Sequence, residues 1–138
     1  MEFREVLETR RSVRSFSSRP VPDDVIDRVI DAARIAPSGN NRQPWRFVVV
    51  RDEKKRKAIA EACYSQSFVA QAPVIIVCCA VECTSGYEPW QAQAGPRDVV
   101  IAVDHLILAA RDEGLGTCWI GAFYPDSVRK IVNVPDSV

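Results

Sequence analysis

The order of apolar and polar positions predicts two helices early in the chain, over residues 2–9 and within residues 20–37. In the second of these, Asp23 can cap the first turn and Pro37 can end the helix. The apolar face of this helix consists of Val25, Ile26, Val29, Ile30 and Ala33. We therefore expect this face to pack against a core.

Runs of β-branched and other apolar residues predict three strands further along the chain. The first covers residues 46–52 and the third covers residues 116–123. The second, residues 72–81, does not alternate between apolar and polar positions, so it is predicted to be fully buried. A charged helix is predicted between the first two strands, over residues 52–63, and a short helix after the third, over residues 125–132.

The segment from Asp98 to about Glu113 predicts a helix that is apolar nearly all round, and Gly114 can cap its end. Its apolar residues are Val99, Val100, Ile101, Ala102, Val103, Leu106, Ile107, Leu108, Ala109 and Ala110. Since a small domain has little interior, this helix is expected to be buried on most sides, with a partner subunit covering one of them. Its lone histidine, His105, is then expected to be a core or interface residue rather than a proton donor.

Strands interleaved with helices predict a three-layer α/β or α+β fold, in which a central sheet is flanked by helices. Residues 1–138 are expected to form a single domain, and a further strand is expected where the sequence stops. The long loop before Asp98 carries Tyr87 and Trp90. These two residues either shape a substrate site or belong to a plain linker.

Composition narrows the range of functions. The chain is 47% hydrophobic and 26% charged, and its 18 basic side chains balance 18 acidic ones. This neutrality argues against a nucleic acid or a membrane surface as partner, and the longest apolar stretch, residues 72–81, is too short to span a membrane. Five cysteines, an odd number with two adjacent, favour the reducing cytoplasm over a disulfide framework.

Charge is nevertheless concentrated in "RRSVRSFSSR", residues 10–19, which contain four Arg, four Ser and no acidic residue. Guanidinium groups combined with hydroxyl and backbone N–H groups form a good phosphate site. The candidate residues are Arg10, Arg11, Ser12 and Arg14. The alternative is a solvated basic turn whose arginines pair with nearby acids.

Two other segments combine features that suit a flat polar ligand. In "APSGNNRQPW", residues 36–45, a hydroxyl and several amides match the donors and acceptors at the edge of a heterocycle. In "GLGTCWIGAF", residues 114–123, three glycines allow the backbone to approach a ring closely. The alternatives are an elaborate connection in which Trp45 is merely a core residue, and a glycine helix cap followed by an ordinary core strand.

Taken together, "RRSVRSF", "APSGNNRQPWRFVVV", "APVIIVC" and "DHLILAARDEGLGTCWIGAF" resemble the FMN-dependent nitroreductase family in order and spacing. The resemblance covers nearly all of residues 4–132 and implies the nitroreductase-like fold. It also implies a homodimer with two FMN molecules at its interface, each touched by both subunits. The helix around Leu106 would then be the dimer helix.

The resemblance also implies the cofactor-binding residues, in four groups. The residues that match the segment binding the FMN phosphate, ribityl chain and pyrimidine edge are Arg10, Arg11, Ser12 and Arg14. The residues that match a loop brought over the flavin from the other subunit are Pro37, Ser38, Gly39 and Asn41. Gln66 lies where members often place an amide near the ring. The residues that match the segment beside the reactive face of the ring, where a backbone N–H reaches the flavin N5, are Trp119, Ile120, Gly121 and Ala122.

The activity implied is an FMN-dependent NAD(P)H oxidoreductase with a ping-pong mechanism. NAD(P)H gives a hydride to the flavin, and a nitroaromatic, quinone or similar acceptor then takes its place. No side chain is expected to act as acid or base, and no metal is expected.

Three other functions remain open. One is a flavin- or nucleotide-binding paralogue without turnover, and another is flavin fragmentation or reductive dehalogenation, although the chain has no obvious lid. The third is a metal or redox-switch site using Cys78, Cys79, Cys83 and Cys118.

Overall fold

The computed structural model describes residues 1–81 and 94–135, so Cys83, Tyr87 and Trp90 lie outside the described residues. The elements in the described part are α1 (Phe3–Thr9), α2 (Asp23–Arg34), a 3₁₀ turn (Gly39–Asn41), β1 (Trp45–Val50), α3 (Glu53–Ala62), α4 (Ser67–Gln71), β2 (Ile75–Ala80), α5 (Ala94–Asp112) and α6 (Pro125–Val132). The order of helices and strands follows the predicted one, with two exceptions: the short helix α4 was not predicted, and the third predicted strand is absent from the described residues. A helix of five residues is too short for a periodic pattern to reveal it.

Strands β1 and β2 pair in antiparallel fashion, with Trp45 opposite Ala80 and Val50 opposite Ile75. Alternate residues point to opposite faces of this sheet, as strand geometry requires. Phe47 and Ile76 pack against the core formed with α2 and α5. Val48 and Val77 pack, on the other face, against the core formed with α3 and α4. Helices therefore cover both faces, which confirms the three-layer arrangement.

Helices α2 and α5 form the larger core. Val29, Ala33, Ala102 and Leu106 are buried there together with Trp45. The predicted apolar face of α2 is confirmed, since three of its five residues are buried and the other two half-buried. The interpretation of Trp45 as a core residue is also confirmed.

Two predictions about the strands were wrong. Every residue of β2 is half-buried rather than fully buried, because β1 is its only neighbouring strand within the described residues and the helices cover each face incompletely. Residues 116–123 do not form a strand either: their one ladder contact is an isolated parallel bridge between Ser12 and Thr117. A strand needs a neighbour along its whole length, and further along this segment Tyr124 N–H turns away to Ala62 O, 2.9 Å away.

The helix ends also differ in detail from the prediction. Pro22 occupies the N-cap position of α2, so Asp23 is its first helical residue and not its cap. The Asp23 carboxylate instead accepts a hydrogen bond from Arg51 at 2.6 Å. Gly114 does follow α5 in the left-handed conformation (φ 77°), as a glycine cap does.

Helix α5 begins at Ala94, four residues earlier than predicted, and is less enclosed than expected. Val100 and Ile101 are 51% and 38% exposed in the single chain, because α2 and the sheet cover only part of the helix surface. In the described part of the chain, no helix is long and apolar enough to cross a membrane.

Near the end of α5, Arg28 on α2 holds Glu113 by two parallel hydrogen bonds of 2.7 and 2.8 Å. These bonds keep the pKa of Glu113 below its usual range, so the pair stabilises the fold while Glu113 is ionised. We expect Glu113→Gln to lower the melting temperature slightly at neutral pH. The difference in melting temperature between this variant and the wild type should shrink as the pH falls below about 4, and it should vanish once Glu113 is protonated in the folded protein.

The measurement is thermal unfolding across this pH range, with Glu61→Gln as a control on an exposed residue of α3. A difference in melting temperature that persists at pH values below the lowered pKa of Glu113 would contradict the assignment to this carboxylate.

Candidate functional site

The arginine-rich segment starts where α1 ends and contacts Gly116 and Thr117. Arg10 is the C-cap residue of α1. Ser12 bridges to Thr117, and Val13 N–H donates to Thr117 O at 2.8 Å. Gly116 makes this close approach possible, because a Cβ built on it would lie 2.8 Å from Val13 Cγ2. The two segments are thus joined backbone to backbone.

The guanidinium groups of this segment are not neutralised by acids within residues 1–81 and 94–135. Arg11 donates to two backbone carbonyls, those of Glu8 at 2.7 Å and Arg10 at 2.8 Å. Arg14 makes a long contact of 3.4 Å to Ser12 O. None of Arg10, Arg11 and Arg14 forms an ion pair with another described residue. The charge of this segment therefore remains available to an anion.

Residues 119–122 continue this surface. Trp119 is 47% exposed, while Ile120 packs inwards against the core formed with α3. A Cβ built on Gly121 would have no heavy atom within 4 Å, so the backbone there is open to a flat ligand. The Gln66 side-chain amide donates to Ala122 O at 3.5 Å and to Cys63 O at 2.9 Å. Its carbonyl oxygen is the atom that it could offer to a ligand.

An aromatic pair next to Gln66 was missed by the sequence interpretation. The rings of Tyr64 and Tyr124 have their centroids 4.6 Å apart, and both side chains are more than half exposed. Tyr64 and Ser65 both have a left-handed backbone (φ 55° and 56°). No sequence signal could have found this pair, because its members are far apart in the chain and lie in segments without periodicity.

The loop over residues 37–43 lies elsewhere in the molecule. Its Gly39 N–H donates to Asp98 Oδ2 at 3.1 Å, close to the start of α5. The arginine segment lies at the other end of α5, where Arg111 Nε donates to Thr9 Oγ1 at 3.0 Å. Between Asp98 and Arg111 the helix rises by about 20 Å, at roughly 1.5 Å per residue.

Within one chain, two contacts connect the predicted residues outside the loop: Ser12 and Val13 contact Thr117, and the Gln66 side chain contacts Ala122. The remaining predicted residues, Arg10, Arg11, Arg14, Trp119, Ile120 and Gly121, are neighbours of these in the sequence. Pro37, Ser38, Gly39 and Asn41 remain apart from them, at the opposite end of α5.

The cysteines do not resemble a reactive or metal-binding cluster in the described part of the chain. Burial raises the pKa of the Cys78 thiol to about 12, and burial also raises that of Cys79. A thiol with a raised pKa is a poor nucleophile and a poor metal ligand. Residues 1–81 and 94–135 contain no group of three or more potential metal-ligating side chains.

Comparison with known proteins identifies the chain's relatives. The model of the nitroreductase family matches residues 7–74 and 62–138. The chain is 36% identical to a protein of Methanothermobacter thermautotrophicus that is named as a candidate NADH dehydrogenase/NAD(P)H nitroreductase, covering 100% of this chain and 72% of that protein. This chain belongs to the nitroreductase family.

Two further relatives carry more specific names. This nitroreductase-family chain is 31% identical to FMN reductase [NAD(P)H] of Bacillus subtilis, over 96% of this chain and 59% of that protein. Over a shorter stretch of 60 residues, the chain is 55% identical to iodotyrosine deiodinase 1 of Rattus norvegicus, which covers 44% of this chain and 21% of that protein.

Solved structures show the nitroreductase fold. A nitroreductase family protein from Clostridium novyi NT superposes with a TM-score of 0.91 at 34% identity, covering 99% of this chain and 79% of that chain. An iodotyrosine deiodinase solved with FMN and 3-iodo-L-tyrosine gives a TM-score of 0.86 at 25% identity, covering 98% of this chain and 83% of that chain. The predicted nitroreductase-like fold is confirmed.

Proposed function

We propose that this protein is an FMN-dependent NAD(P)H oxidoreductase that passes electrons to a nitroaromatic, quinone or similar acceptor. The observation that carries the proposal is the pairing of the arginine segment with Gly116 and Thr117 through Ser12 and Val13. It places cationic side chains beside an open stretch of backbone. This is the combination that a phosphorylated planar cofactor requires.

The residues on this surface fit FMN chemically. A phosphate dianion needs charged donors, and Arg10, Arg11 and Arg14 have no carboxylate partner among the described residues. A flat ring needs a wall without protruding side chains, and Gly121 leaves its backbone open. The names of the Bacillus reductase and of the FMN-bound deiodinase structure support the same cofactor.

Each group of residues then has its own task in the reaction. Bound FMN would supply the chemistry of taking a hydride from NAD(P)H and passing electrons to the second substrate. Arg10, Arg11 and Arg14 would hold the phosphate and place positive charge near the pyrimidine edge, where reduction would add negative charge. The backbone of residues 119–122 orients the ring, and Gln66 contributes its carbonyl oxygen. No side chain has to exchange a proton.

We further propose a homodimer in which the loop of one subunit covers the flavin site of the other. Val100 and Ile101 on α5 and Phe3 and Leu7 on α1 are all exposed apolar residues, and α1 packs against α5. Such a surface suits burial against a second copy. The loop and the arginine segment lie at opposite ends of α5, too far apart to form one site within a single chain. In the proposed dimer, each flavin site would combine the arginine segment of one subunit with the loop of the other.

Two broader features belong to the same proposal. We propose that residues 1–138 form one FMN-binding domain, in agreement with a family match that extends over residues 7–138. We also propose that it works in the reducing cytoplasm, because Cys63, Cys78, Cys79 and Cys118 are all free thiols.

The decisive experiment is a visible absorption spectrum of the protein after FMN is added and free FMN removed. We expect retained bands near about 370 and 450 nm that NADH or NADPH bleaches and a quinone restores. A colourless protein that cannot be loaded would contradict the proposal. Retained bands that neither nicotinamide bleaches would favour the alternative of a flavin-binding protein without turnover.

Reductive dehalogenation is the second candidate, and the 55% identity to iodotyrosine deiodinase 1 over 60 residues favours it. In this reaction two electrons and one proton replace the iodine of an iodoaromatic substrate by hydrogen and release iodide. Iodide release from 3-iodo-L-tyrosine by the reduced, FMN-loaded protein would support it. Quinone reduction without iodide release would exclude it.

A further inference from the structure

Asp98 is the only charged residue that is buried among those the structure describes, with 8% of its surface exposed. It lies near the start of α5, beside the buried residues Val99 and Ala102. A carboxylate in such surroundings is costly unless it accepts hydrogen bonds. Asp98 Oδ2 accepts one from Gly39 N–H at 3.1 Å, across 59 positions of sequence. The loop is thus tied to the helix by a charge-assisted bond.

The same loop has two further anchors. Its stem is fixed where Val81 N–H donates to Pro44 O at 2.7 Å. Inside the loop, Gln43 N–H donates to Ser38 Oγ at 3.0 Å. Among the hydrogen bonds of the described residues, the bond from Asp98 joins Gly39, in the middle of the loop, to α5. It therefore helps to fix the position of the loop relative to α5.

The loop needs this support because its backbone is strained. Asn40, Asn41 and Gln43 all have a left-handed conformation, with φ of 52°, 53° and 53°. Asparagine tolerates this conformation better than most residues, whereas Gln43 adopts it at a cost in free energy and keeps it only where the surroundings hold it. Three such residues in four positions indicate a loop that is held in one shape rather than relaxed into it.

We infer that Asp98 is a positioning residue: its bond to Gly39 holds the loop over residues 38–41 in the shape that the flavin site of the second subunit requires. This inference rests on the proposed function, since it presupposes a flavin site shared between two subunits. Asp98 itself does not touch the cofactor. It acts through the backbone of Gly39, and it was not among the residues predicted from the sequence.

The first test compares Asp98→Ala with Asp98→Asn and with Asp27→Ala, a control on an exposed aspartate of α2. In the FMN-free protein, we expect Asp98→Ala to speed hydrogen–deuterium exchange over residues 37–43 by about tenfold while the rest of the chain keeps its protection. The Kd for FMN should rise by about tenfold. Asp98→Asn keeps an oxygen that can accept the hydrogen bond from Gly39 N–H. This variant should therefore lose clearly less exchange protection and less affinity for FMN than Asp98→Ala.

The outcomes separate this inference from the proposed function. A wild-type protein that does not bind FMN would overturn the proposed function. If the wild type binds FMN and Asp98→Ala binds it equally well, the positioning role is overturned, even where exchange in the loop has risen. If Asp98→Ala fails to fold, Asp98→Leu decides, because leucine is close to aspartate in size and cannot accept the bond from Gly39 N–H. Unchanged exchange in the loop and an unchanged Kd in that variant would overturn the role.

A second test determines whether the loop held by Asp98 contributes to the flavin site of its own subunit or to that of the second subunit. Asp98→Ala is co-expressed with a chain that carries Arg10→Ala, Arg11→Ala and Arg14→Ala. In a mixed dimer, one of the two sites combines the intact arginines of one chain with the intact loop of the other. Random pairing should thus restore tight FMN binding at about a quarter of all sites. No recovery beyond the two parent variants would overturn the assignment to the second subunit.

Discussion

Replacing Arg10, Arg11 and Arg14 together by alanine is expected to weaken FMN binding by about a hundredfold or more, because three charged donors to one phosphate are lost. The fold should survive. The described hydrogen bonds of Arg11 and Arg14 go to backbone carbonyls within residues 8–12, and neither side chain is buried. The measurement is the quenching of flavin fluorescence during titration, with circular dichroism to confirm that the variant is folded.

Measuring the affinity for riboflavin, which lacks the phosphate, shows whether the lost contacts are contacts to the phosphate. The affinity for riboflavin should fall clearly less than that for FMN in the same variant, since riboflavin has no phosphate contacts to lose and loses only the positive charge near its pyrimidine edge. Arg19→Ala is the matched control: this arginine lies in the same segment, is exposed and was not predicted to bind FMN. An equal loss of affinity for FMN and riboflavin would mean that the three arginines support the shape of the site rather than the phosphate.

Gly116→Ala is expected to damage both stability and cofactor binding through a single steric clash. The added Cβ would lie 2.8 Å from Val13 Cγ2 and 3.2 Å from Val13 Cβ, and the β-branched side chain of valine has little freedom to turn away. We expect the free energy of unfolding to fall by about 1–3 kcal/mol. The Kd for FMN should rise by about tenfold, because the bond from Val13 N–H to Thr117 O would open.

A double variant tests whether the clash with Val13 causes the loss of stability. Val13→Ala removes the two methyl groups that lie 2.8 and 3.3 Å from the new Cβ, so combining it with Gly116→Ala should recover much of the stability lost by Gly116→Ala alone. Gly121→Ala serves as a stability control, since its added Cβ meets nothing within 4 Å. Chemical denaturation of the four variants gives the comparison. If the two single changes simply add, contact between these side chains is not the cause.

The sequence by itself determined those features that depend on neighbouring residues. The apolar face of α2 repeats with the helical period, and β1 is a short run of β-branched residues after a proline. The glycine cap after α5 is a property of one position. The arginine segment could be singled out as a phosphate site because its residues are adjacent in the chain. The family resemblance rested on the same kind of local motif.

The tertiary structure decided what depends on distant partners. Residues 116–123 contain the residues of a strand, but they form none because only Thr117 has a backbone neighbour in Ser12. Nothing in the sequence around Asp98 indicates that its carboxylate will tie down Gly39, or that the loop and the arginine segment will lie at opposite ends of one helix. Periodicity reports which face of an element is apolar, whereas a hydrogen bond across 59 positions exists only once the elements have packed.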